Sequence, residues 1–90
     1  MKILVIGGGG REHAVIWKLH QEGGHELYCA PGNAGIAQLA TCVDIGATDV
    51  QALADYAAAQ QFDLVCVTPD DPLALGLVDL LRAKGIAAFG

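Results

Sequence analysis

Positive charge is scarce in this 90-residue chain: five Lys and Arg stand against ten Asp and Glu, for a formal net charge of −5. Nucleic acids and anionic membranes are gripped by clustered Lys and Arg, so neither is expected as a partner. A small anionic ligand is not excluded, because backbone N–H groups can hold a phosphate without net positive charge. Long apolar runs are also missing. The opening stretch, Met1 to Ile6 with Lys2 inside it, gives way to four glycines. That is too short for a signal-peptide core or a membrane span, and a cytoplasmic location is expected. The three cysteines, Cys29, Cys42 and Cys66, are an odd number with no close pair. Each lies in an apolar run with no basic neighbour to lower its pKa, so they read as reduced, buried thiols. The three histidines make no metal set either. His13 and His20 lie two helical turns apart, too far to share an ion, and His25 falls in a turn, so no metal ligand is assigned.

What is present is apolar substance. Hydrophobic residues make up 53% of the chain and charged ones 17%, which is too apolar for disorder. The length suits one small domain over 1–90, with room for a core but not for a large enclosed site as well. A site at an edge, completed by something else, is the expectation.

Short apolar runs alternate with amphipathic ones, the pattern of a parallel α/β sheet. Strands are predicted at Lys2 to Ile6, Glu26 to Ala30, Cys42 to Ile45, Asp63 to Thr68 and Ile86 to Phe89. Between them, Arg11 to Glu22 reads as a helix stopped by Gly23-Gly24, and Ile36 to Ala40 as a short helical turn. Thr48 with Gln51 forms a capping-box pattern ahead of an apolar stripe at Val50, Leu53, Ala54, Ala57 and Ala58. Pro72 opens a last helix that runs to about Lys84, with Leu73, Leu77, Leu80 and Leu81 on one face and Gly85 ending it. The predicted fold is a small Rossmann-like α/β domain, a five-stranded parallel sheet with helices on both faces. Its ligand should lie beyond the carboxyl ends of the strands, where strand order reverses. Three loops reach that edge: Gly7–Glu12, Pro31–Gly35 and Thr68–Pro72.

The loop Gly7-Gly8-Gly9-Gly10 between strand and helix suits a cradle for a phosphate or sugar phosphate. Glycine would let such a ligand approach the backbone. It is a poor dinucleotide fingerprint, however. The third glycine of G-x-G-x-x-G falls on Glu12 or His13, and the second strand ends in Tyr28-Cys29-Ala30-Pro31 with no acidic residue for a ribose. A phosphate loop of the Gly-Lys-Ser/Thr kind is absent. Arg11 and Glu12 fit either ligand contacts, Arg11 to a negative group and Glu12 to hydroxyls or an amine, or solvated first-turn residues. Asp70 and Asp71 likewise fit either a ribose contact or a turn before Pro72, while Asp44 reads as a turn residue.

Four segments carry a family resemblance. Met1-Lys2-Ile3-Leu4-Val5-Ile6-Gly7-Gly8-Gly9-Gly10-Arg11-Glu12-His13-Ala14, with Trp17-Lys18 following, is similar to the opening of the phosphoribosylamine–glycine ligase family. Ala30-Pro31-Gly32-Asn33-Ala34-Gly35, the segment Asp63 to Leu73, and Gly85 to Gly90 resemble its later motifs, so the likeness covers the chain in order. It implies the N-terminal, pre-ATP-grasp domain of a ligase of purine biosynthesis. That enzyme joins glycine to 5-phosphoribosylamine through glycyl phosphate, giving glycinamide ribonucleotide, ADP and phosphate. The substrates implied are 5-phosphoribosylamine, glycine and ATP. ATP and Mg²⁺ (or Mn²⁺) would be bound by later parts of the same polypeptide.

By that resemblance the substrate-binding residues are Gly8, Gly9, Gly10, Arg11, Glu12, Pro31, Gly32, Asn33 and Asp70, with no catalytic residue in this domain. One motif departs from the family pattern. Thr68-Pro69-Asp70 stands where Gly-Pro-Glu is usual, adding a Cβ at Thr68 and shortening the reach at Asp70 by about 1.5 Å. Because the family continues well past this length, the chain is expected to be a truncated piece without ligase activity of its own. Other readings of the same residues are a stand-alone nucleotide-sugar module, an NAD(P)-binding domain, and an interaction domain that pairs through an open fifth strand.

Overall fold

The structure, a computed structural model, describes residues 1–69 and 72–89. Asp70, Asp71 and Gly90, and with them the expectation for Asp70, lie outside the described residues. In chain order the elements are β1 (Lys2–Gly7), α1 (Gly10–Glu22), β2 (Glu26–Pro31), a 3₁₀ turn (Ile36–Gln38), β3 (Thr41–Cys42), α2 (Val50–Gln60), β4 (Leu64–Val67), α3 (Pro72–Ala83) and β5 (Ala88–Phe89). The strands form one parallel five-stranded sheet in the order β3-β2-β1-β4-β5.

The continuous apolar run of β1 has the reason its composition suggests: β1 is the central strand and is covered on both faces. Its side chains alternate between two cores. Ile3 and Val5 join Ile16 of α1, Leu27, Cys29, Ile36 and Cys66 on one face. Leu4 and Ile6 join Leu53, Ala54 and Ala57 of α2, Leu77, Val78 and Leu81 of α3, and Phe62, Val65 and Val67 on the other. Helices therefore lie on both faces, as the alternation predicts. The stripe on α2 is narrower than predicted, since Val50 is half-buried and Ala58 exposed.

Most boundaries shift by a residue or two, the fourth strand for instance being Leu64–Val67 rather than Asp63 to Thr68, and three shifts have a visible hydrogen-bonding reason. The third strand is Thr41–Cys42 rather than Cys42 to Ile45. The Val43 N–H still reaches the Cys29 carbonyl at 2.8 Å, but the Ile45 N–H turns back to the Val43 carbonyl at 2.8 Å and takes the chain off the sheet edge. Helix α2 is capped by Asp49, whose Oδ1 accepts the Ala52 N–H at 3.3 Å, not by Thr48. Gln51 donates to Asp55 instead of closing a capping box. The fifth strand begins at Ala88 rather than Ile86, because the Ile86 N–H is held by the Leu81 carbonyl at 3.0 Å. With the Gly85 N–H on the Arg82 carbonyl and Gly85 at φ +78°, this is a Schellman ending.

Leu81 touches solvent nowhere, whereas Leu75 on the same helix is 71% exposed. Leu81→Ala is expected to lower stability by about 2–5 kcal/mol. Leu75→Ala should stay within about 0.5 kcal/mol of wild type. Urea unfolding of the two variants, followed by circular dichroism, checks the difference.

Candidate functional site

From β1 the chain moves outward through β2 to β3, and α2 then carries it back to β4 on the other side of β1. Strand order thus reverses between β1 and β4. The crevice at their carboxyl ends is the natural ligand position of an open parallel sheet. Three groups meet there: the Ile6-Gly7 end of β1, Thr68 just past β4, and the first turn of α1.

Glu12 joins them. It is the third residue of α1, and its side chain turns back over the preceding loop. Oε1 accepts the Gly9 N–H at 2.8 Å, while Oε2 lies 2.6 Å from the Thr68 hydroxyl. That hydroxyl is in turn 2.8 Å from the Ile6 carbonyl oxygen, so the contact runs from helix to β4 to β1. Gly9 has no side chain, and only the carboxylate half of a capping box exists. With 8% exposure, Glu12 is the one buried charged residue among the described residues. Burial pushes its carboxyl up, but hydrogen bonds from Thr68 and Gly9, the Arg11 charge and the Gly8 N–H outweigh that and hold it below the ordinary glutamate range. Glu12 is therefore a carboxylate at neutral pH.

The glycines divide by what surrounds them. At Gly7, φ is +124° and a Cβ would fall 2.5 Å from Glu12 Oε1. At Gly8 a Cβ would fall 2.6 Å from the Gly32 carbonyl oxygen. Gly32, at φ +72°, faces the Cys42 sulfur with no room for a side chain. These three are glycine because other parts of the protein fill the space, a reason distinct from the expected close approach of a ligand. In the run of four, Gly10 alone has nothing within 4 Å of where a Cβ would stand, leaving its surface open at the helix start.

The second loop is tied to the first. Asn33 Nδ2 donates to the Gly8 carbonyl at 2.8 Å, and its Oδ1 accepts the Ile36 N–H at 2.9 Å, starting the 3₁₀ turn. The Gly32 N–H donates to the Gly7 carbonyl at 3.1 Å, and Gly7 pairs with Pro31, which follows a cis peptide bond. Gly8, Gly9, Gly10, Glu12, Pro31, Gly32 and Asn33 are thus gathered at one rim, although Asn33 is engaged in cross-linking loops. Arg11 is exposed beside them. Cys29, beneath the rim, donates its thiol to the Gly7 carbonyl at 3.2 Å. Burial, with the neighbouring Cys42 and Glu12 charges, pushes its pKa up to about 12, so it is no nucleophile near neutral pH.

Sequence reasoning missed the part Thr68 plays, treating it only as an added Cβ. Its place past β4, beside the end of β1 at the reversal of strand order, was the available signal. It also left unremarked an open groove of about 380 Å³ along α1, lined by Gly10, His13, Ala14 and Trp17. His13 packs there against Gly35, where a Cβ would meet its ring at 2.9 Å. Among the described residues no three His, Cys, Asp or Glu side chains gather as metal ligands, and no helix is long and apolar enough to cross a membrane.

A sequence profile for the N domain of phosphoribosylglycinamide synthetase matches residues 1–90. The chain belongs to that family. Three relatives, each named phosphoribosylamine–glycine ligase, show the likeness in full sequences. The protein of Brucella melitensis is 53% identical over 91 residues, and that of Caldanaerobacter subterraneus is 48% identical over 91. The Escherichia coli K12 protein is 50% identical over 93 residues. Each match covers 100% of this chain and 21–22% of the relative, so the chain spans about a fifth of the curated relatives' length. Family membership agrees with the geometry in disfavouring a dinucleotide site, since Glu12 takes the Gly9 N–H that a pyrophosphate on the glycine loop would use.

Two outcomes follow from these contacts. Gly8→Ala should destabilise the domain by about 1–3 kcal/mol by forcing the two loops apart. Gly10→Ala, with open space around it and a better helix former, should be neutral or stabilising by up to about 1 kcal/mol. Thermal unfolding distinguishes them. Because the folded pKa of Glu12 lies below its unfolded value, the unfolded chain takes up the proton first, and stability rises with pH there. The contribution is present above about pH 4.3 and is lost as pH falls through the folded value. Acid titration of Glu12→Gln should lack that component.

Proposed function

We propose that this domain serves a phosphoribosylamine–glycine ligase by contributing the strand-end rim that binds the ribosyl substrate, 5-phosphoribosylamine, before its condensation with glycine to glycinamide ribonucleotide. The reading rests on the family and on one observation: a buried carboxylate held by the Gly9 N–H and the Thr68 hydroxyl at the reversal of strand order. Such a group accepts hydrogen bonds. A sugar hydroxyl or an amine suits it, and a bare phosphate does not.

Within this reading Glu12 receives a hydroxyl or the amine of the substrate. Arg11, exposed one residue earlier, offers a positive charge to the phosphate, and the N–H groups at Gly10 and Arg11 lie at the positive end of the α1 dipole. Gly32 and Asn33 hold the facing loop in place through Gly7 and Gly8. Pro31 and Gly9 complete the rim, and Asp70 is proposed as a further ribose contact from the loop after β4. The described residues do not fit ATP and Mg²⁺ themselves. They include no lysine-bearing phosphate loop and no cluster of carboxylates, so these groups are assigned to other parts of the full-length protein, and no chemical step is assigned to this domain. The 90 residues alone are accordingly proposed to be inactive in ligation.

Calorimetric titration of the full-length protein with glycinamide ribonucleotide tests the reading. Glu12→Gln, with its thermal midpoint checked, should weaken binding roughly tenfold to a hundredfold, the worth of one hydrogen bond to a charged group. Unchanged affinity would remove Glu12 from the site.

A further inference from the structure

Thr68 carries two short contacts with a single proton. Its hydroxyl oxygen lies 2.6 Å from Glu12 Oε2 and 2.8 Å from the Ile6 carbonyl oxygen, both of them acceptors. A hydroxyl has one hydrogen to donate, so only one acceptor can receive it at a time. The ionised carboxylate is the stronger acceptor and the nearer one. The Ile6 carbonyl is the alternative to which the hydroxyl turns when the carboxylate is protonated and itself donates to Oγ1. The threonine oxygen is wedged between the end of β1 and the first turn of α1.

The geometry points to Thr68 as a positioning residue that determines what the site accepts, an inference that rests on the reading of Glu12 as a ligand contact. Glu12 has rotamers that would carry its carboxylate out over the rim, and the Gly9 N–H alone is a single tether. With Thr68 as the second tether, one oxygen is held on the glycine loop and the other on β4. Two consequences for specificity follow. The Gly9 N–H, which an anion would otherwise use, is occupied by a side chain of the protein, so the glycine loop ceases to be an anion cradle at that point. The remaining lone pairs of the fixed carboxylate meet a donor, either a hydroxyl or an ammonium group. Thr68 thereby selects for the donor-bearing part of a ligand at the reversal of strand order and directs a phosphate elsewhere.

The variants Thr68→Val, which keeps the branched shape without the hydroxyl, and Thr68→Ser, which keeps the hydroxyl, separate this role from packing. Two readouts are needed. The first is the titration of the Glu12 carboxyl, followed by carbon-13 NMR of glutamate-labelled protein. The second is the affinity of the full-length protein for glycinamide ribonucleotide. Thr68→Val should move the Glu12 midpoint upward and weaken binding about tenfold, and Thr68→Ser should restore both. If Thr68→Val does not fold, Thr68→Ala, which has no bulk to misplace, takes its part with the same expectation.

Hydroxyl-free variants that keep both the wild-type midpoint and the wild-type affinity would overturn the inference. So would a folded serine variant that restores neither. The Glu12→Gln variant keeps the two levels apart. If it weakens binding while the hydroxyl-free variants do not, the positioning role fails and Glu12 stands. If it leaves binding unchanged, the reading on which this role rests fails with it.

Discussion

A carboxylate with 8% exposure has lost most of its water and must find donors in the protein, and at Glu12 those donors come from the neighbouring glycine loop and from a residue 56 positions further on. Gly9 supplies a backbone N–H from the loop after β1, Thr68 supplies a hydroxyl from the end of β4, and Arg11 supplies charge from the same helix turn. The carboxylate therefore fixes the distance between the helix start and the two strands that flank the reversal of strand order. Gly7 must be glycine to admit it, and its φ of +124° is the backbone conformation that lets the loop fold around it. The rest of the rim follows, since Gly7 and Gly8 are the points to which Gly32 and Asn33 attach the second loop.

This arrangement changes what a run of four glycines means. Before a helix such a run suggests an anion held on open N–H groups. Here most of the run is packed against protein: Gly7 against Glu12, Gly8 against Gly32, and Gly9 against Glu12 again. Gly10 alone of the four faces open space. The negative partner of the loop is built into the chain, and what the completed edge presents to a ligand is an acceptor. That also fits an acidic domain with few cations of its own.

Much of the fold was legible because hydrophobic periodicity is set by burial. The uninterrupted run Ile3 to Ile6 reads as a strand covered on both faces, and Leu53, Ala54 and Ala57 of α2 and Leu77, Leu80 and Leu81 of α3 faced the same core. Boundaries were less legible because they depend on single hydrogen bonds. Asp49 displaced Thr48 as a cap, and the Ile86 N–H closed a helix end where a strand had been expected to begin. The site was legible as a set of loops but not as a mechanism of assembly. Glu12 and Thr68 are 56 residues apart, and only the topology brings their side chains to 2.6 Å. The groove at Trp17 was not legible, since a helical composition over Arg11 to Glu22 does not say which of its side chains the rest of the fold leaves exposed.

The most direct test of the central claim is a ligand-bound structure of the full-length protein with glycinamide ribonucleotide. The arrangement described predicts a hydroxyl or nitrogen of the ligand about 2.7–3.2 Å from a Glu12 oxygen, with the contacts to Gly9 and Thr68 kept. A phosphate seated on the Gly8 and Gly9 N–H groups, with Glu12 swung out of the crevice, would contradict it.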